Sequence, residues 1–357
     1  MPDIPDNDRT DELRAAVREA LADGAPVAVT GGGTKAFYGN PVSARPLAVS
    51  GHSGIVHHAP TELVVTVRAG TPLAALEARL AEAGQKLGCE PPHYGEAATV
   101  GGMVAAGLSG PPRPWSGAVR DAVLGAKILS GTGEVLSFGG EVMKNVAGYD
   151  VSRVMTGSLG TLGLLLEVSL KVVPRPAAEA TRTFAMDEAA ALRALADWGR
   201  HPLPFAGTCH QDGRLHVRLA GNAGAVAEAA ERLGGEAGHA GEGFWADLRE
   251  QRLPFFRGEG AVWRISVPPA APPLGLPGET LTEWGGALRW LCTPAPAETI
   301  RAAATAAGGH AVLFRGGDPG EPAFPPLPRP LMTLHRNLKR AMDPHGLFNP
   351  GRLYPEL

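Results

Sequence analysis

Two glycine-rich segments in the first third of the chain limit what this sequence can fold into more than any other feature. The first, Thr30–Lys35 (TGGGTK), follows a short apolar run, Val27–Val29, that is typical of a strand. Three consecutive glycines let neighbouring backbone N–H groups converge on an anion without steric cost, which suits a pyrophosphate. The spacing fits neither a Walker loop nor a G-x-G-x-x-G turn. Because a lone glycine triplet is more often an ordinary turn, this segment is not sufficient evidence by itself.

A second segment of small residues occupies positions 95–111 (GEAATVGGMVAAGLSGP). Few side chains intervene there, so the backbone can lie close to a flat or anionic group, and the hydroxyls of Thr99 and Ser109 can add hydrogen bonds. The ordinary alternative is a buried crossing of two backbone segments. The pair Arg120-Asp121 and the stretch Gly157–Gly163 (GSLGTLG) follow, and packing alone hardly explains all of these features. Together they favour a ligand site.

Length and charge limit the class of protein. A chain of 357 residues exceeds the size at which a single core usually stops growing, so two lobes are expected. The net charge of −3 gives no electrostatic reason to expect nucleic acid or an anionic membrane as a partner. The acidic N-terminal segment is unlike a secretory signal, and no apolar run approaches the roughly 20 residues that cross a bilayer. We therefore expect a soluble, cytoplasmic protein without direct membrane insertion.

The cysteines and histidines argue against a metal centre. Cys89, Cys209 and Cys292 lie far apart, and no C-x-x-C pair occurs. This pattern disfavours an iron–sulfur cluster or a c-type haem and fits a reducing compartment. His57 and His58 are adjacent, so on a strand they would point to opposite faces and could not bind one ion together. The sequence predicts no metal site.

Periodicity and turn residues predict the elements of the first lobe. Apolar residues at every fourth position predict a helix over residues 11–22. Thr71 is expected to cap a second helix, which has Pro72 at its first position and ends at Gly84. The predicted strands are 27–29, 63–67, 123–129, 135–138, 160–168 and 170–173.

Pro174-Arg175-Pro176 marks the boundary to a second lobe with a different pattern. Asp212-Gly213 is expected to close a β-hairpin, and a proline-rich connector over 319–330 leads to a last helix over 331–342. Mixed helices and hairpins predict an α+β fold, in which helices cover one face of an antiparallel sheet. The predicted helices are 188–198, 223–233 and 297–307, and the predicted strands are 181–186, 205–209, 215–219, 261–267, 281–284, 287–292 and 310–314.

Several motifs carry a resemblance to a known family. TGGGTK, Ala98–Gly102 (ATVGG), Gly117–Asp121 (G-x-x-R-D), Lys144–Asp150 (KNVAGYD) and GSLGTLG resemble the FAD domain of the vanillyl-alcohol oxidase (PCMH-type) superfamily. Further stretches resemble, more specifically, the family of FAD-binding E subunits of bacterial glycolate oxidases, and the likeness runs nearly end to end. These stretches are Lys35–Gly39 (KAFYG), Trp263–Pro268 (WRISVP), Glu283–Leu291 (EWGGALRWL) and Phe348–Tyr354 (FNPGRLY).

The resemblance implies a fold and a cofactor. The expected fold class is α+β, with a PCMH-type two-part FAD-binding domain over residues 1–176. An α+β cap domain with a largely antiparallel sheet is expected over 177–318. Residues 319–357 would then form the proline-rich connector and a C-terminal helix and tail that return to the FAD domain. The implied cofactor is FAD, held non-covalently.

The resemblance also implies a set of FAD-binding residues. Backbone amides of Gly31–Thr34 should meet the pyrophosphate, helped by Thr99, Gly101 and Gly102, while the turn Gly160–Leu164 should flank the adenosine half or the ring edge. The complete set is Thr30, Gly31, Gly32, Gly33, Thr34, Lys35, Thr99, Val100, Gly101, Gly102, Ala105, Gly107, Ser109, Gly110, Gly117, Arg120, Asp121, Lys144, Gly157, Gly160, Thr161, Gly163 and Leu164.

The sequence allows two roles for each of three residues, Lys144, Cys89 and His93. Lys144 would approach the flavin ring, where a positive charge favours reduced, anionic flavin, or it is an ordinary solvated lysine. Many relatives tether FAD through a His or Cys near the first glycine loop, and TGGGTK offers neither. Cys89 and His93 precede the second segment and are the available tethers, but a buried thiol and a surface imidazole are the favoured interpretation.

The catalytic residues are not identified. A 2-hydroxy acid dehydrogenase must hold a carboxylate and remove a hydroxyl proton, for which an arginine and a histidine are suited. Arg264 and Arg289, with Lys144, are the weak candidates, although a structural salt bridge in a tryptophan-rich core is the favoured explanation of both arginines. No base stands out among the eleven histidines.

The resulting hypothesis is an accessory, electron-carrying FAD subunit of a glycolate oxidase (dehydrogenase) complex, which oxidises glycolate, and D-lactate as a further substrate, to the 2-oxo acid. The expected partners are a catalytic FAD subunit and an iron–sulfur subunit, with membrane association only through the complex. One alternative is a stand-alone FAD-dependent dehydrogenase for a small 2-hydroxy acid. Another is a scaffold whose FAD is structural or absent.

Overall fold

The computed structural model describes residues 4–141, 150–238, 243–258, 260–318 and 320–357. These residues divide into two units. The first unit comprises the described parts of Met1–Ser109, Gly117–Arg175 and Pro326–Leu357. The second comprises Gly110–Ser116 and the described parts of Pro176–Pro325.

The first unit contains a five-stranded antiparallel sheet and two strand pairs. The sheet has the order β3-β4-β8-β6-β7, β1 pairs with β2 in parallel, and β5 pairs with β9. The strands are β1 (Val27–Thr30), β2 (Arg45–Ala48), β3 (Ile55–Ala59), β4 (Val64–Arg68), β5 (Gln85–Lys86), β6 (Val123–Leu129), β7 (Val135–Gly139), β8 (Leu164–Lys171) and β9 (Val173–Pro174).

Short helices pack against these strands. The first helix buries Leu13, Val17 and Ala20 along one side and ends at Gly24, whose φ of +62° gives the left-handed cap. One apolar cluster joins these helices to β4, β6 and β8. The helices up to the second unit are α1 (Thr10–Asp23), α2 (Leu73–Glu82), α3 (Val100–Ala106), α4 (Arg113–Ser116, in the second unit), α5 (Val119–Ala122) and α6 (Val151–Val154).

Two local predictions for the first unit were wrong, and some of its elements were not predicted. Thr71 does not cap α2, because its hydroxyl exchanges hydrogen bonds with the backbone of Gly54 and Pro72 occupies the cap position. The strand predicted from residue 160 begins only at Leu164, since Gly160 and Gly163 have positive φ angles of 73° and 153°. Strands β2 and β3 and helix α3 were not predicted.

The second unit is built on one eight-stranded antiparallel sheet of order β13-β10-β12-β11-β15-β16-β14-β17, as the predicted fold class requires. Asp212 and Gly213 close the predicted hairpin with positive φ angles. The elements are β10 (Ala178–Ala185), α7 (Glu188–Trp198), β11 (Phe205–Gln211), β12 (Arg214–Gly221), α8 (Ala223–Leu233), β13 (Glu236–Ala237), α9 (Phe244–Arg249), β14 (Ala261–Ser266), β15 (Glu279–Glu283), β16 (Leu288–Thr293), α10 (Ala297–Ala306) and β17 (His310–Arg315).

The two faces of this sheet differ in what covers them. Helices α7 and α8 pack on β12, and α10 packs on β14, β16 and β17, through two apolar clusters. Directly paired residues share a face, so Ile265 and Arg289 lie on one face and Arg264 and Trp290 lie on the other. The two arginines proposed from the sequence therefore point to opposite sides of the sheet.

The chain passes from one unit to the other at four places. The long connections fall at Arg175/Pro176 and Pro325/Pro326, after which α11 (Arg329–Met342) and the C-terminal tail belong to the first unit. The segment Gly110–Ser116 lies in the second unit, although the predicted FAD domain, residues 1–176, includes it. Trp284 explains this placement, since its Nε1 donates to the Gly110 carbonyl at 3.0 Å. No helix among the described residues is long and apolar enough to span a membrane.

Candidate functional site

The first glycine loop follows β1 in the first unit. A Cβ at Gly31 would meet the Thr99 hydroxyl, and a Cβ at Gly32 would overlap the Ala97 carbonyl, so both positions require glycine. Gly33 has a φ of +71°. The amides of Gly31, Gly32, Gly33 and Thr34 donate no hydrogen bond to any residue that the structure describes. Four consecutive donors are thus available to a ligand.

The second segment packs directly on this loop. The Thr99 side chain caps α3 by accepting a hydrogen bond from the Gly102 amide at 3.2 Å. The Gly101 amide donates to Ala69 O at 2.7 Å, and a Cβ at Gly101 would lie 2.8 Å from Ala69 Cβ. Val100 is buried, and its amide donates to Thr71 O. Gly101 and Gly102 therefore allow backbone segments to lie close together, and they offer no free donor because their amides are already bonded within the protein.

The glycine-rich turn at 157–160 contacts the other end of α3. The amides of Gly157 and Leu159 donate to the carbonyls of Val104 and Ala105, at 3.0 and 2.9 Å. Gly107 has a φ of +65°, and a Cβ there would lie 3.1 Å from Gly157. The turn and the second segment consequently form one packed layer beside the first glycine loop.

The C-terminal tail joins these loops together, and Asn349 is the central residue. Its Oδ1 accepts from the Val29 amide at 2.7 Å, and its Nδ2 donates to Leu159 O at 2.6 Å. It is buried and has a φ of +43°. Arg352 donates to the carbonyls of Asn40 and Ala36, each at 2.8 Å.

Lys339 on α11 adds a buried anchor. Its Nζ contacts Thr161 O at 2.7 Å, Phe348 O at 2.8 Å and Asp343 Oδ2 at 2.7 Å. Sequence reasoning gave no role to Asn349, Arg352 or Lys339, and used the tail motif only as a resemblance. The tail stretch FNPGRLY, in which polar residues alternate with glycine, proline and apolar residues, could have indicated Asn349 and Arg352, whereas Lys339 lies in a polar helix and gave no such signal.

Other predicted residues are used within the protein or lie elsewhere. The Ser109 hydroxyl accepts from the Val119 amide, and the Asp121 carboxylate accepts from the Ala118 amide. Arg120 is exposed beside Gly117, and Gly110 belongs to the second unit. Thr161 is buried with its hydroxyl on Ser158 O, whereas Gly163 and Leu164 lead into β8. Lys144, with the motif through Tyr149, lies outside the described residues.

The two candidate tethers differ in their surroundings. Burial raises the pKa of the Cys89 thiol to about 12, so it remains a protonated, buried thiol. The His93 imidazole is bonded to Glu77 at 3.0 Å. The His93 carbonyl accepts from the Thr34 hydroxyl and the Lys35 ammonium, at 2.7 and 3.1 Å. His93 thus supports the first glycine loop through its backbone.

In the second unit, Arg289 is structural. It is buried, and it donates to Gly286 O at 2.7 Å and to Ala271 O at 2.9 Å, with Glu188 at 3.4 Å. Arg264 is half-buried, with its guanidinium carbon 5.1 Å from the Trp284 ring centre. Within the described residues Arg264 makes no hydrogen bond or salt bridge. Of these two arginines, Arg264 is the one that keeps the donors a ligand carboxylate needs.

Glu283 is a buried acid next to this arginine. Its Oε1 accepts from Trp290 Nε1 at 2.7 Å, and burial raises its pKa to about 7, against the opposing effects of that hydrogen bond and of Arg264. Cys209 lies directly across the strand pair from it. The carboxyl group therefore exchanges its proton near neutral pH.

This shift predicts that Glu283 makes the protein less stable as the pH rises. The pKa of Glu283 in the folded protein, about 7, exceeds its ordinary value of 4.5. The ionisation of this group therefore leaves the free energy of unfolding unchanged below pH 4.5 and lowers it between pH 4.5 and pH 7. The loss is about 3 kcal/mol at 1.36 kcal/mol per pKa unit. Urea unfolding at pH 5 and pH 8 should show this loss in the wild type and a smaller one in Glu283→Gln. Equal losses in both proteins would contradict it.

The described residues of the first unit fit a dinucleotide. Four unengaged amides lie in one loop, and the loop is kept free of side chains by the close packing at Gly31 and Gly32. A family model described as "FAD binding domain" matches residues 8–139. The solved structure of alkyldihydroxyacetonephosphate synthase aligns with a TM-score of 0.65 at 17% identity, over 97% of this chain and 75% of that one. The fold and the site define an FAD-binding flavoprotein.

The relatives define the protein more closely. The chain is 53% identical over 350 residues to glycolate oxidase subunit GlcE of Escherichia coli (strain K12), covering 98% of this chain and 99% of that protein. It is 33% identical over 172 residues to a D-lactate dehydrogenase of Anaerostipes hadrus, covering 47% of this chain and 35% of that protein. The chain therefore belongs to the GlcE family of FAD-dependent oxidoreductase subunits, and the family predicted from the motifs is confirmed.

Proposed function

We propose that this chain is the FAD-binding subunit of a glycolate oxidase complex, in which it carries electrons beside a catalytic flavoprotein subunit and an iron–sulfur subunit. Glycolate, and D-lactate as a further substrate, would be oxidised to the 2-oxo acid. The strongest support is the 53% identity, over 98% of the chain, to a protein named as a glycolate oxidase subunit. A cytoplasmic position, with any membrane association made through the partners, is part of this proposal.

The first glycine loop would hold the cofactor. Amides of Gly31, Gly32, Gly33 and Thr34 would donate to the pyrophosphate, and the half-buried Gly102 would let the phosphates approach the backbone, while Gly101 packs against Ala69. Bound FAD supplies a two-electron acceptor for the oxidation of an alcohol carbon. The buried state of Cys89 supports non-covalent binding.

The second unit supports an accessory role. His210 and His216 have ring nitrogens bonded to Met186 O and the Thr183 hydroxyl, and Arg289 is fully engaged. No group of residues in the described part of the chain could hold a metal ion. These residues offer no paired arginine and base for substrate oxidation. Arg264, with its unengaged guanidinium, favours the second candidate, a stand-alone 2-hydroxy acid dehydrogenase.

The visible spectrum of the purified chain tests this proposal. We expect flavin absorption that acid precipitation releases into the supernatant, because no covalent bond holds the cofactor. Under anaerobic glycolate the flavin should remain oxidised, since the chain alone lacks a complete substrate site. Bleaching by glycolate alone would replace the accessory role with the stand-alone one. Absence of flavin from a folded protein would contradict both.

A further inference from the structure

Trp284 lies in a strained turn that the second unit holds firmly. It follows β15 with a φ of +56°, a conformation that bulky residues rarely adopt, and Gly285 and Gly286 continue with φ angles of +65° and +99°. Two hydrogen bonds fix the turn, from Trp284 Nε1 to Gly110 O at 3.0 Å and from the Gly285 amide to the Thr208 hydroxyl at 2.8 Å. Strain that is held so specifically is typical of ligand sites.

Two guanidinium groups contact the same indole ring. The Arg113 guanidinium carbon lies 4.6 Å from the centre of the Trp284 ring, and that of Arg264 lies 5.1 Å from it. Arg113 comes from α4 and Arg264 from β14, so distant parts of the second unit supply the two charges. Stacking on an aromatic ring fixes the plane of a guanidinium while leaving its N–H groups directed outward.

No carboxylate among the described residues forms a salt bridge with Arg264. The acid beside it is Glu283, whose Oε1 accepts a hydrogen bond from Trp290 and whose burial favours the neutral form. Arg264 makes no hydrogen bond or salt bridge within the described residues. The two fully buried arginines of this unit differ, since Arg218 donates twice to Ala206 O and Arg289 is bonded to Gly286 O and Ala271 O. The donors of Arg264 are therefore available to an anion.

We infer that Arg264, held against Trp284, binds a small carboxylate anion in the second unit, with the nearby charge of Arg113 adding to the positive field. A planar guanidinium matches a carboxylate with two parallel hydrogen bonds, and stacking on Trp284 holds that plane in place. The choice of a 2-hydroxy acid such as glycolate as that anion rests on the proposed function. The same donors could receive inorganic phosphate, so the test includes both.

Titration calorimetry on the purified, FAD-containing chain tests this inference, with glycolate, acetate and inorganic phosphate as separate probes at pH 7. Acetate is included because it has the carboxylate but no oxidisable hydroxyl. We expect glycolate and acetate to bind and Arg264→Gln to weaken both about tenfold or more, since a charge-assisted hydrogen bond is lost. Arg264→Lys should restore part of the affinity.

The matched control is Arg193→Gln, which removes an exposed arginine on α7 of the same unit and should leave the affinity unchanged. Unchanged affinity in a folded Arg264→Gln protein, or tighter binding of phosphate than of glycolate, would overturn the assignment, as would no binding to the wild type. Retention of the flavin spectrum in Arg264→Gln keeps this outcome separate from the FAD-binding proposal.

Discussion

Replacing Gly32 with valine should reduce FAD binding at least a hundredfold. Any Cβ at this position overlaps the Ala97 carbonyl oxygen, which belongs to backbone and cannot rotate away. The first glycine loop must then separate from the second segment, and the four amides of Gly31–Thr34 no longer converge. We expect the purified variant to lack flavin absorption while its circular dichroism still shows a folded protein, with an unfolding midpoint lowered towards that of the wild type stripped of FAD.

The control for this variant is Gly140→Val. Gly140 has ordinary backbone geometry, and a Cβ there meets no atom of the described residues within 4 Å, so the same substitution should leave the flavin content unchanged. The Gly32 variant also separates the proposed function from a scaffold role. A scaffold predicts full oxidase activity of the complex with Gly32→Val, provided that assembly is normal, whereas a functional FAD predicts its loss.

Replacing Lys339 with methionine should lower the free energy of unfolding by about 3–5 kcal/mol, because it leaves the buried carboxylate of Asp343 without its counter-charge. Both side chains are at least nine-tenths buried, and Lys339 also donates to Thr161 O and Phe348 O. The loops that the tail connects should loosen as a result. We expect a lower urea midpoint and partial loss of FAD.

Arg340→Met provides the matched control, since Arg340 is the next residue on α11 and is exposed. It should change the stability by less than about 0.5 kcal/mol. The double variant Lys339→Met with Asp343→Asn should recover part of the loss, because it removes both charges and keeps an oxygen acceptor for the amides that Asp343 bonds, those of Leu347 and Phe348. If the single Lys339 variant unfolds at the wild-type urea concentration, the buried pair does not stabilise the tail.

Regular elements with strong local signals could be predicted from the sequence. The helix near residue 11, the hairpin at Asp212-Gly213 and the helix α7 follow from periodicity and turn residues alone. Strand β3 was missed because its sequence, IVHHA, carries two histidines on a partly exposed edge strand. Helix α3 was missed because two of its seven residues are glycines, whose low helix propensity is overridden by packing against β4 and β8.

The candidate site could be predicted in part. Glycine content indicated where backbone approaches backbone, and the structure brings Gly31, Gly32, Thr99 and Gly101 together. The sequence could not distinguish amides that face a ligand from those already bonded, such as that of Gly101, because this depends on Ala69 in a separate strand–turn segment. Asn349 was missed for the same reason, since its partners lie far away in sequence.

The bonds of Asn349 also set a time for cofactor loading during synthesis. Its partner Val29 is made 320 residues earlier. At bacterial translation speeds of about 5–20 residues per second, the ribosome needs roughly 15–60 s to cover that distance. Throughout this interval the glycine loops lack Asn349, the residue that bonds them together. During the same interval the ribosome synthesises the main part of the second unit, Pro176–Pro325. Stable capture of FAD therefore has to wait until Asn349 has left the ribosome, so a nascent chain that stops before Asn349 should not retain the flavin.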